Sequence, residues 1–248
     1  MINLDQFTFI YINTTHPGNL GSIARATKNM GISDVRLVAP LANVNDPQAV
    51  ANAAGAKDTL ASMRIFSDLE QALEDVNVIF ATSARPRNLN PTIVTPEEIV
   101  TKAIEFNQNS PHKLKVAVLF GTEHSGLTNE QLNLANYHII INANPEYSSL
   151  NLAMASLLIA YSLRVKVLET NKDNKLEQSQ NTAQELASQA DFHNYFTRLE
   201  EHYTQNGFIK HSKVIPRLQH IYKKAQLTKK EIDLLQGMLT ADIKQKKE

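Results

Sequence analysis

The 248-residue sequence contains no cysteine. This absence excludes disulfide scaffolds, thiolate metal sites, CxxC redox motifs and cysteine nucleophiles together. Long uninterrupted apolar runs are also absent, because the most apolar stretch, residues 150–168, includes Asn151, Ser156, Arg164 and Lys166. No basic segment precedes an apolar one near the first residue. We therefore predict a soluble, cytoplasmic protein without a signal peptide or a membrane-spanning helix.

The sequence also has no net charge, since 25 Lys and Arg balance 25 Asp and Glu. The balance conceals an asymmetry: the first 160 residues hold 10 basic and 14 acidic residues, and the remainder holds 15 and 11. Close to this change in net charge, residues 170–185 form a polar stretch typical of linkers, in which Leu176 is the only large apolar residue. Three parts are predicted: a domain over 1–169, a linker over 170–185 and a helical extension over 186–248.

Within the first part, strand and helix signals alternate. Strands are predicted where β-branched and aromatic residues cluster, at 7–13, 35–38, 78–81, 116–120 and 137–141. Helices are predicted from capping residues and apolar periodicity, at 20–30, from 46, from 67, at 96–106, from 128 and at 150–168. Such alternation indicates an α/β domain, with a parallel sheet covered by helices on both faces.

Ligands of such sheets bind beyond the carboxyl ends of the strands, so the loops there are the candidate site. Four loops rich in small and polar residues follow strands, at 14–22, 82–87, 121–126 and 142–151. Residues 121–126 (GTEHSG) have the glycine spacing of a P-loop, but Leu127-Thr128 replaces the phosphate-binding lysine. No GxGxxG follows the first strand. Kinase, NTPase and ordinary dinucleotide-binding functions are therefore disfavoured.

Three of these loops, in order, resemble the motifs of SPOUT-class RNA 2′-O-methyltransferases. The matching segments are NLGSIARA at 19–26, LFGTEHSGL at 119–127 and NPEYSSLNLA at 144–153. The third segment, with Thr82-Ser83-Ala84-Arg85, is similar to the branch that methylates the ribose of nucleotide 32, a cytidine or uridine in the tRNA anticodon loop.

The resemblance implies a trefoil-knotted domain that binds S-adenosylmethionine and forms a homodimer in which both protomers contribute to each active site. It places cofactor contacts on nine residues: Thr82, Ser83, Ala84, Gly121, Glu123, Ile141, Ser148, Ser149 and Leu150. Methyl transfer depends on holding two reactants in line, and main-chain groups around glycines suit that task. Glu123 has a second interpretation, as a residue that organises its own loop.

The resemblance assigns catalysis to Arg25, Asn19 and Ser149. Arginine is essentially never deprotonated in a protein, so we interpret Arg25 as binding phosphate and stabilising the developing alkoxide, with general-base action left open. Asn19 and Ser149 have an alternative interpretation as helix caps. His16 and His124 lie in turns and are assigned structural roles. No metal site is predicted, because no His, Asp and Glu cluster has ligand spacing.

The extension contains a basic run without acidic residues between Lys210 and Lys230. Five residues of this run are candidate RNA contacts: Lys210, Lys213, Arg217, Lys223 and Lys224. Two more, Arg85 and Arg87, come from the loop after residue 84. A basic run is often only a solvated face, but an acidic catalytic part needs positive charge elsewhere to hold a phosphate backbone. The predicted function is tRNA ribose 2′-O-methylation. Methylation of rRNA or another tRNA position, and non-catalytic RNA binding, are the alternatives.

Overall fold

The computed structural model describes residues 2–84, 92–107, 114–173, 185–209 and 214–245. Its strands are β1 Phe7–Ile12, β2 Asp34–Val38, β3 Arg64–Phe66, β4 Val78–Thr82, β5 Thr92–Val94, β6 Val116–Phe120 and β7 Tyr137–Ile139. Its helices are α1 Pro17–Met30, α2 Pro47–Ala53, α3 Lys57–Ala61, α4 Leu69–Leu73, α5 Ile99–Asn107, α6 Asn129–Asn133, α7 Leu152–Asp173, α8 Gln189–Gln205, α9 Val214–Lys224 and α10 Lys229–Gln245.

The strands of the described chain form one parallel sheet in the order β3-β2-β1-β6-β4-β7-β5. Alternate residues of β1 point to opposite faces: Phe9 and Tyr11 pack with α1, α5 and α7, whereas Ile10 and Ile12 pack with α4 and α6. Both faces are therefore buried, which confirms the predicted α/β class. The short strands β3 and β5 were missed by sequence reasoning because three-residue edge strands have no usable periodicity.

Helix starts differ from the predictions by a few residues, and the caps explain why. α1 begins at Pro17 because the ring Nδ1 of His16 accepts a hydrogen bond from the Gly18 N–H at 3.1 Å. A structural role for His16 is thereby confirmed, and capping by Asn19 is wrong. α4 is capped by Asp68 and not by Ser67, because the carboxylate of Asp68 reaches the amide of Gln71. The predicted stop at Gly31 is confirmed, with φ at 78°.

The last three helices enclose an apolar cluster of their own, built on Phe192, Tyr195, Phe196 and Leu199 of α8. This confirms the predicted C-terminal helical part. Its first helix is joined to the sheet domain by a hydrogen bond from the Gln189 amide to the Val76 carbonyl. The division at 170–185 stays a prediction: α7 continues to residue 173, and 174–184 lie outside the described residues. No described helix is long and apolar enough to cross a membrane.

Candidate active site

A cavity of about 370 Å³ lies at the carboxyl ends of β4, β6 and β7. Its lining includes all nine residues on which the resemblance placed the cofactor: Thr82, Ser83, Ala84, Gly121, Glu123, Ile141, Ser148, Ser149 and Leu150. The volume lies within the usual range for small-ligand pockets, roughly 300 to 1,000 Å³. The fold thus brings together three segments that are far apart in sequence, at the sheet edge where parallel α/β domains bind ligands.

The turn between β7 and α7 offers free main-chain groups to this cavity. The amides of Ser148, Ser149 and Leu150 donate hydrogen bonds to no other described residue. Upstream, the turn is shaped by Asn144, which accepts hydrogen bonds from the amides of Glu146 and Tyr147 through its side chain and carbonyl respectively. Unpaired amides on a pre-shaped turn can read a polar, planar ligand edge, and this chemistry fits the adenosine part of S-adenosylmethionine.

The loop over 121–126 is closed on itself. Thr122 and Gly126 exchange two main-chain hydrogen bonds of 3.2 and 3.0 Å, and the Thr122 and Ser125 hydroxyl oxygens are 2.7 Å apart. Gly126 has a φ of 68°, in the left-handed region that favours glycine. A Cβ at Gly121 would lie 2.1 Å from the Gly126 carbonyl carbon. Gly121 is therefore required by the close approach of the loop's own main chain.

Glu123 points its carboxylate at the turn before α1. The carboxylate accepts hydrogen bonds from the amides of Thr15 and His16 at 3.2 Å, from the Thr15 hydroxyl at 3.0 Å and from Asn19 Nδ2 at 2.9 Å. Partial burial raises the pKa of Glu123, but the hydrogen bonds from Asn19 and the amides outweigh burial and hold the pKa below its usual value. Glu123 is ionised at neutral pH.

Asn19 also makes a hydrogen bond to the third motif. Its Oδ1 accepts a hydrogen bond from Asn151 Nδ2 at 3.0 Å, and Asn151 Oδ1 in turn accepts from the Ala153 amide at 2.9 Å. Asn151 is therefore the residue that caps α7, and the alternative interpretation of Ser149 as the cap is wrong. Sequence reasoning missed that Thr15 and His16 anchor Glu123, since a main-chain contact across 108 residues leaves no local signal.

A model of the SpoU rRNA Methylase family matches residues 6–161. The chain belongs to this family. TrmJ of Escherichia coli K12, a tRNA (cytidine/uridine-2′-O-)-methyltransferase, is 37% identical over 247 residues, 98% of each chain. The crystal structure of TrmJ from Z. mobilis ZM4 has a TM-score of 0.80 at 28% identity, covering 94% of this chain and 97% of that chain.

A more distant SpoU relative supports the shared fold alone. AviRb from Streptomyces viridochromogenes, crystallised in complex with AdoMet, has a TM-score of 0.53 at 21% identity. The similarity covers 68% of this chain and 60% of the AviRb chain. The family match ends within α7, so the C-terminal helices lie outside the segment that defines the SpoU family.

Arg25, the arginine of the first SpoU motif, is exposed on α1 and does not line the cavity of its own chain. Its position agrees with an interpretation in which Arg25 contacts RNA and not the cofactor. His124 lines the cavity, although its position in a turn predicted only a structural role. No group of three or more potential metal ligands occurs among the residues that the structure describes.

The predicted RNA contacts are only partly described. Arg85, Arg87, Lys210 and Lys213 lie outside the described residues, as does the side chain of Lys223, while Arg217 and Lys224 are exposed on α9. Two other residues between Lys210 and Lys230 have partners within the protein. Lys229 is paired with Asp191 at 2.6 Å, and the ring of Tyr222 packs edge-on against Tyr195 and Phe196. Neither is a free phosphate or base contact.

An exposed apolar stripe on α7 was missed by sequence reasoning. Its members recur at helical spacing on one side of the helix: Met154, Leu157, Leu158, Tyr161 and Leu168. The opposite side, with Ile159 and Leu163, is fully buried against the sheet. The signal was present in the sequence, because a helix that is apolar on all sides needs a cover on both sides.

Proposed function

We propose that this protein transfers a methyl group from S-adenosylmethionine to a tRNA ribose 2′-oxygen, at the cytidine or uridine of nucleotide 32 in the anticodon loop. The observation that supports this most strongly is the convergence of nine motif residues, from three chain segments, on one cavity. The near full-length similarity to TrmJ of E. coli supports tRNA as the substrate. A cytoplasmic location goes with that substrate.

Residues of this chain would hold the cofactor mainly through main-chain atoms. When bound, S-adenosylmethionine supplies an electrophilic methyl group on a sulfonium. The free amides of 148–150 and the strand ends at Thr82 and Gly121 would bind and orient it, with most of the rate gain coming from placing two reactants in line. Arg25 would bind the neighbouring phosphate and stabilise the alkoxide that develops on the ribose, since a guanidinium does not act readily as a base. The 2′-hydroxyl proton would pass to water as the bond from sulfur to the methyl carbon breaks and the bond from the ribose oxygen forms.

We further propose that the active unit is a homodimer formed through α7. The stripe from Met154 to Leu168 is exposed in the single chain, with Met154 at 61% and Tyr161 at 57% exposure. Contiguous exposed apolar surface of this kind is typical of protein interfaces. Because Arg25 does not line its own chain's cavity, a partner's Arg25 would complete the site.

The proposal is tested by methyl transfer from labelled S-adenosylmethionine to tRNA transcripts. Transcripts with cytidine or uridine at position 32 should be methylated, and the same transcripts with a 2′-deoxy nucleotide there should not. Labelling of the deoxy transcript would place the methyl group elsewhere. Labelling of rRNA but not tRNA would favour the rRNA alternative, and absence of any transfer despite cofactor binding would favour a non-catalytic RNA-binding protein.

Arg25→Ala separates the role of RNA contact from that of cofactor contact. Loss of one preorganised cation should lower kcat roughly 100- to 1,000-fold. Calorimetry should still detect S-adenosylmethionine binding at the wild-type affinity. Arg25→Lys should also be impaired, since an ammonium cannot reproduce the planar guanidinium fork. Lys57→Ala, an exposed cation on α3, is the control and should leave kcat unchanged. Equal loss of cofactor affinity in Arg25→Ala would contradict this division of roles.

A further inference from the structure

A chain of polar side chains connects the three motifs, and its direction is fixed by chemistry. The carboxylate of Glu123 can only accept hydrogen bonds, so the amide nitrogen of Asn19 must face it. The remaining oxygen of Asn19 then requires a donor, which is Asn151 Nδ2. The oxygen of Asn151 is thereby turned to the first amides of α7. Each bond thus determines the orientation of the next.

The hydrogen-bond chain joins three segments that are far apart in the sequence. Glu123 lies 104 residues from Asn19, which lies 132 residues from Asn151. Asn19 is buried, with 9% exposure, so an unsatisfied amide there would be costly. The chain therefore links the turn before α1, the loop after β6 and the start of α7, which follows directly on the cofactor turn.

We propose that Glu123, Asn19 and Asn151 form a directional hydrogen-bond relay that sets the position of α1, and so of Arg25, relative to α7 and the cofactor turn. In this assignment the three are positioning residues. The main role of Asn19 and Glu123 is to orient neighbouring groups, and not to contact the reacting ribose or the cofactor. The inference rests on the proposed methyl transfer through a dimer: α7 forms the proposed interface, so the position of α1 relative to α7 sets where Arg25 meets the partner's cavity.

The competing explanation is that each residue serves its own element alone, with Asn151 as a simple cap. Asn151→Asp separates the two explanations, because an aspartate oxygen still caps α7 but cannot donate to Asn19. The relay predicts a roughly 10- to 100-fold lower kcat, the loss that a small misplacement of a catalytic group produces. Cofactor affinity should stay near wild type, and the melting temperature should fall by only a few degrees, because Asn19 Oδ1 loses its donor. A kcat equal to wild type would overturn the relay.

Exchanging the amide and carboxylate side chains of Asn19 and Glu123 should rescue activity. Asn19→Asp should be inactive, because it sets a second carboxylate against Glu123 and removes the donor between them. Glu123→Gln should be impaired, because its amide faces the N–H groups of the α1 turn. Combined, the two substitutions restore a donor at 123, an acceptor at 19 and the original charge. The double variant should recover at least 10-fold in kcat over Asn19→Asp; no recovery would overturn the proposal.

Hydrogen exchange tests the relay without reference to activity. Because the Glu123 carboxylate accepts from the amides of Thr15 and His16, Glu123→Gln should speed exchange at both, while the amides of β1 keep their protection. Unchanged exchange would show that the carboxylate does not hold the turn. If the wild-type protein transfers no methyl group to any RNA, the proposed function fails, whereas the exchange result still decides whether the first link of the relay, from Glu123 to the α1 turn, exists.

Discussion

Two glycines in the loop over 121–126 are required for different reasons, and a matched pair of alanine substitutions distinguishes them. In Gly121→Ala the new methyl group would overlap the main chain of Gly126 and Leu127, so the loop must open. We expect a destabilisation of about 3 kcal/mol, the upper end for overpacking, together with loss of cofactor binding. In Gly126→Ala the methyl group meets open space, and only the positive φ resists it, at about 1 to 2 kcal/mol.

Thermal unfolding and calorimetry with S-adenosylmethionine measure both effects. If Gly121→Ala and Gly126→Ala were equally stable and bound the cofactor equally, the close approach at Gly121 would have no energetic role. The close approach at Gly121 is made by the loop's own main chain, at Gly126 and Leu127. The space that its missing side chain leaves is taken by the loop itself.

A single carboxylate at the start of β2 joins three strands. Asp34 pairs with Arg36 on its own strand, with Arg64 of β3 and with Lys115 before β6, at 2.6 to 2.9 Å. Burial raises the pKa of Asp34, but hydrogen bonds from the three cations outweigh it and hold the pKa well below the usual 3.8. Arg36 is almost fully buried and also bonds Asp75, whose pKa is lowered too.

This cluster predicts a pH dependence of stability. Because the folded-state pKa of Asp34 lies below the unfolded value, its contribution is fully present above that value and is lost as pH falls below about 4. Asp34→Asn should cost about 3 kcal/mol at pH 7, since it leaves Arg36 short of a buried partner, and should flatten the acid limb of the stability curve. Denaturant unfolding from pH 3 to 7 measures this.

The exposed ion pair of Lys28 and Asp58 supplies the control, because solvent screens it. Asp58→Asn should leave the acid limb almost unchanged. An acid limb equally steep in Asp34→Asn and wild type would mean that other carboxylates control acid unfolding.

At the scale of whole elements, α7 has two apolar sides with different partners. Its buried side packs on the sheet, and Tyr11 is hydrogen-bonded to Ser156 beneath it. A charge on the exposed stripe should therefore leave the fold intact and disrupt only the dimer. Leu158→Arg with Tyr161→Glu should give a monomer by sedimentation and abolish methyl transfer. Leu234→Arg, at a similarly exposed position on α10, should stay dimeric. An active monomer would exclude shared active sites.

At the scale of the whole molecule, charge is divided between a catalytic part that is net acidic and a C-terminal part that is net basic. Among the described side chains of α9, Arg217 and Lys224 are exposed cations. Their replacement by alanine should weaken tRNA binding and reduce the slope of log affinity against log salt by about one to two units. Filter binding from 50 to 200 mM salt measures the slope, and calorimetry should show unchanged cofactor affinity.

Lys229→Ala is the matched control, since its ammonium is already neutralised by Asp191 and it should not change the slope. If Arg217 and Lys224 could be removed without any effect on the slope, the basic run would be only a solvated face. The RNA contacts would then lie on the catalytic part, with Arg85 and Arg87 the next residues to replace.

Local patterns in the sequence determined the alternation of strands and helices, the buried sheet and the positions of most helices to within a few residues. Periodicity and capping are short-range properties, so β1, β6 and the stop at Gly31 were predictable from neighbouring residues alone. The three motifs pointed to the family and to the cavity that we propose binds the cofactor. The trefoil knot stays an expectation of the resemblance, because threading leaves no trace in local sequence.

Only the tertiary structure decided how the motif residues divide their work. A carboxylate, an amide or a glycine has the same local signal whether it binds a ligand, caps a helix or contacts distant main chain. The partners of Glu123 lie more than 100 residues away, and the atom that Gly121 must avoid belongs to a loop closed by its own hydrogen bonds. The free face of α7 likewise became visible only once the sheet had covered the other, because burial is a property of the packed chain and not of any one segment.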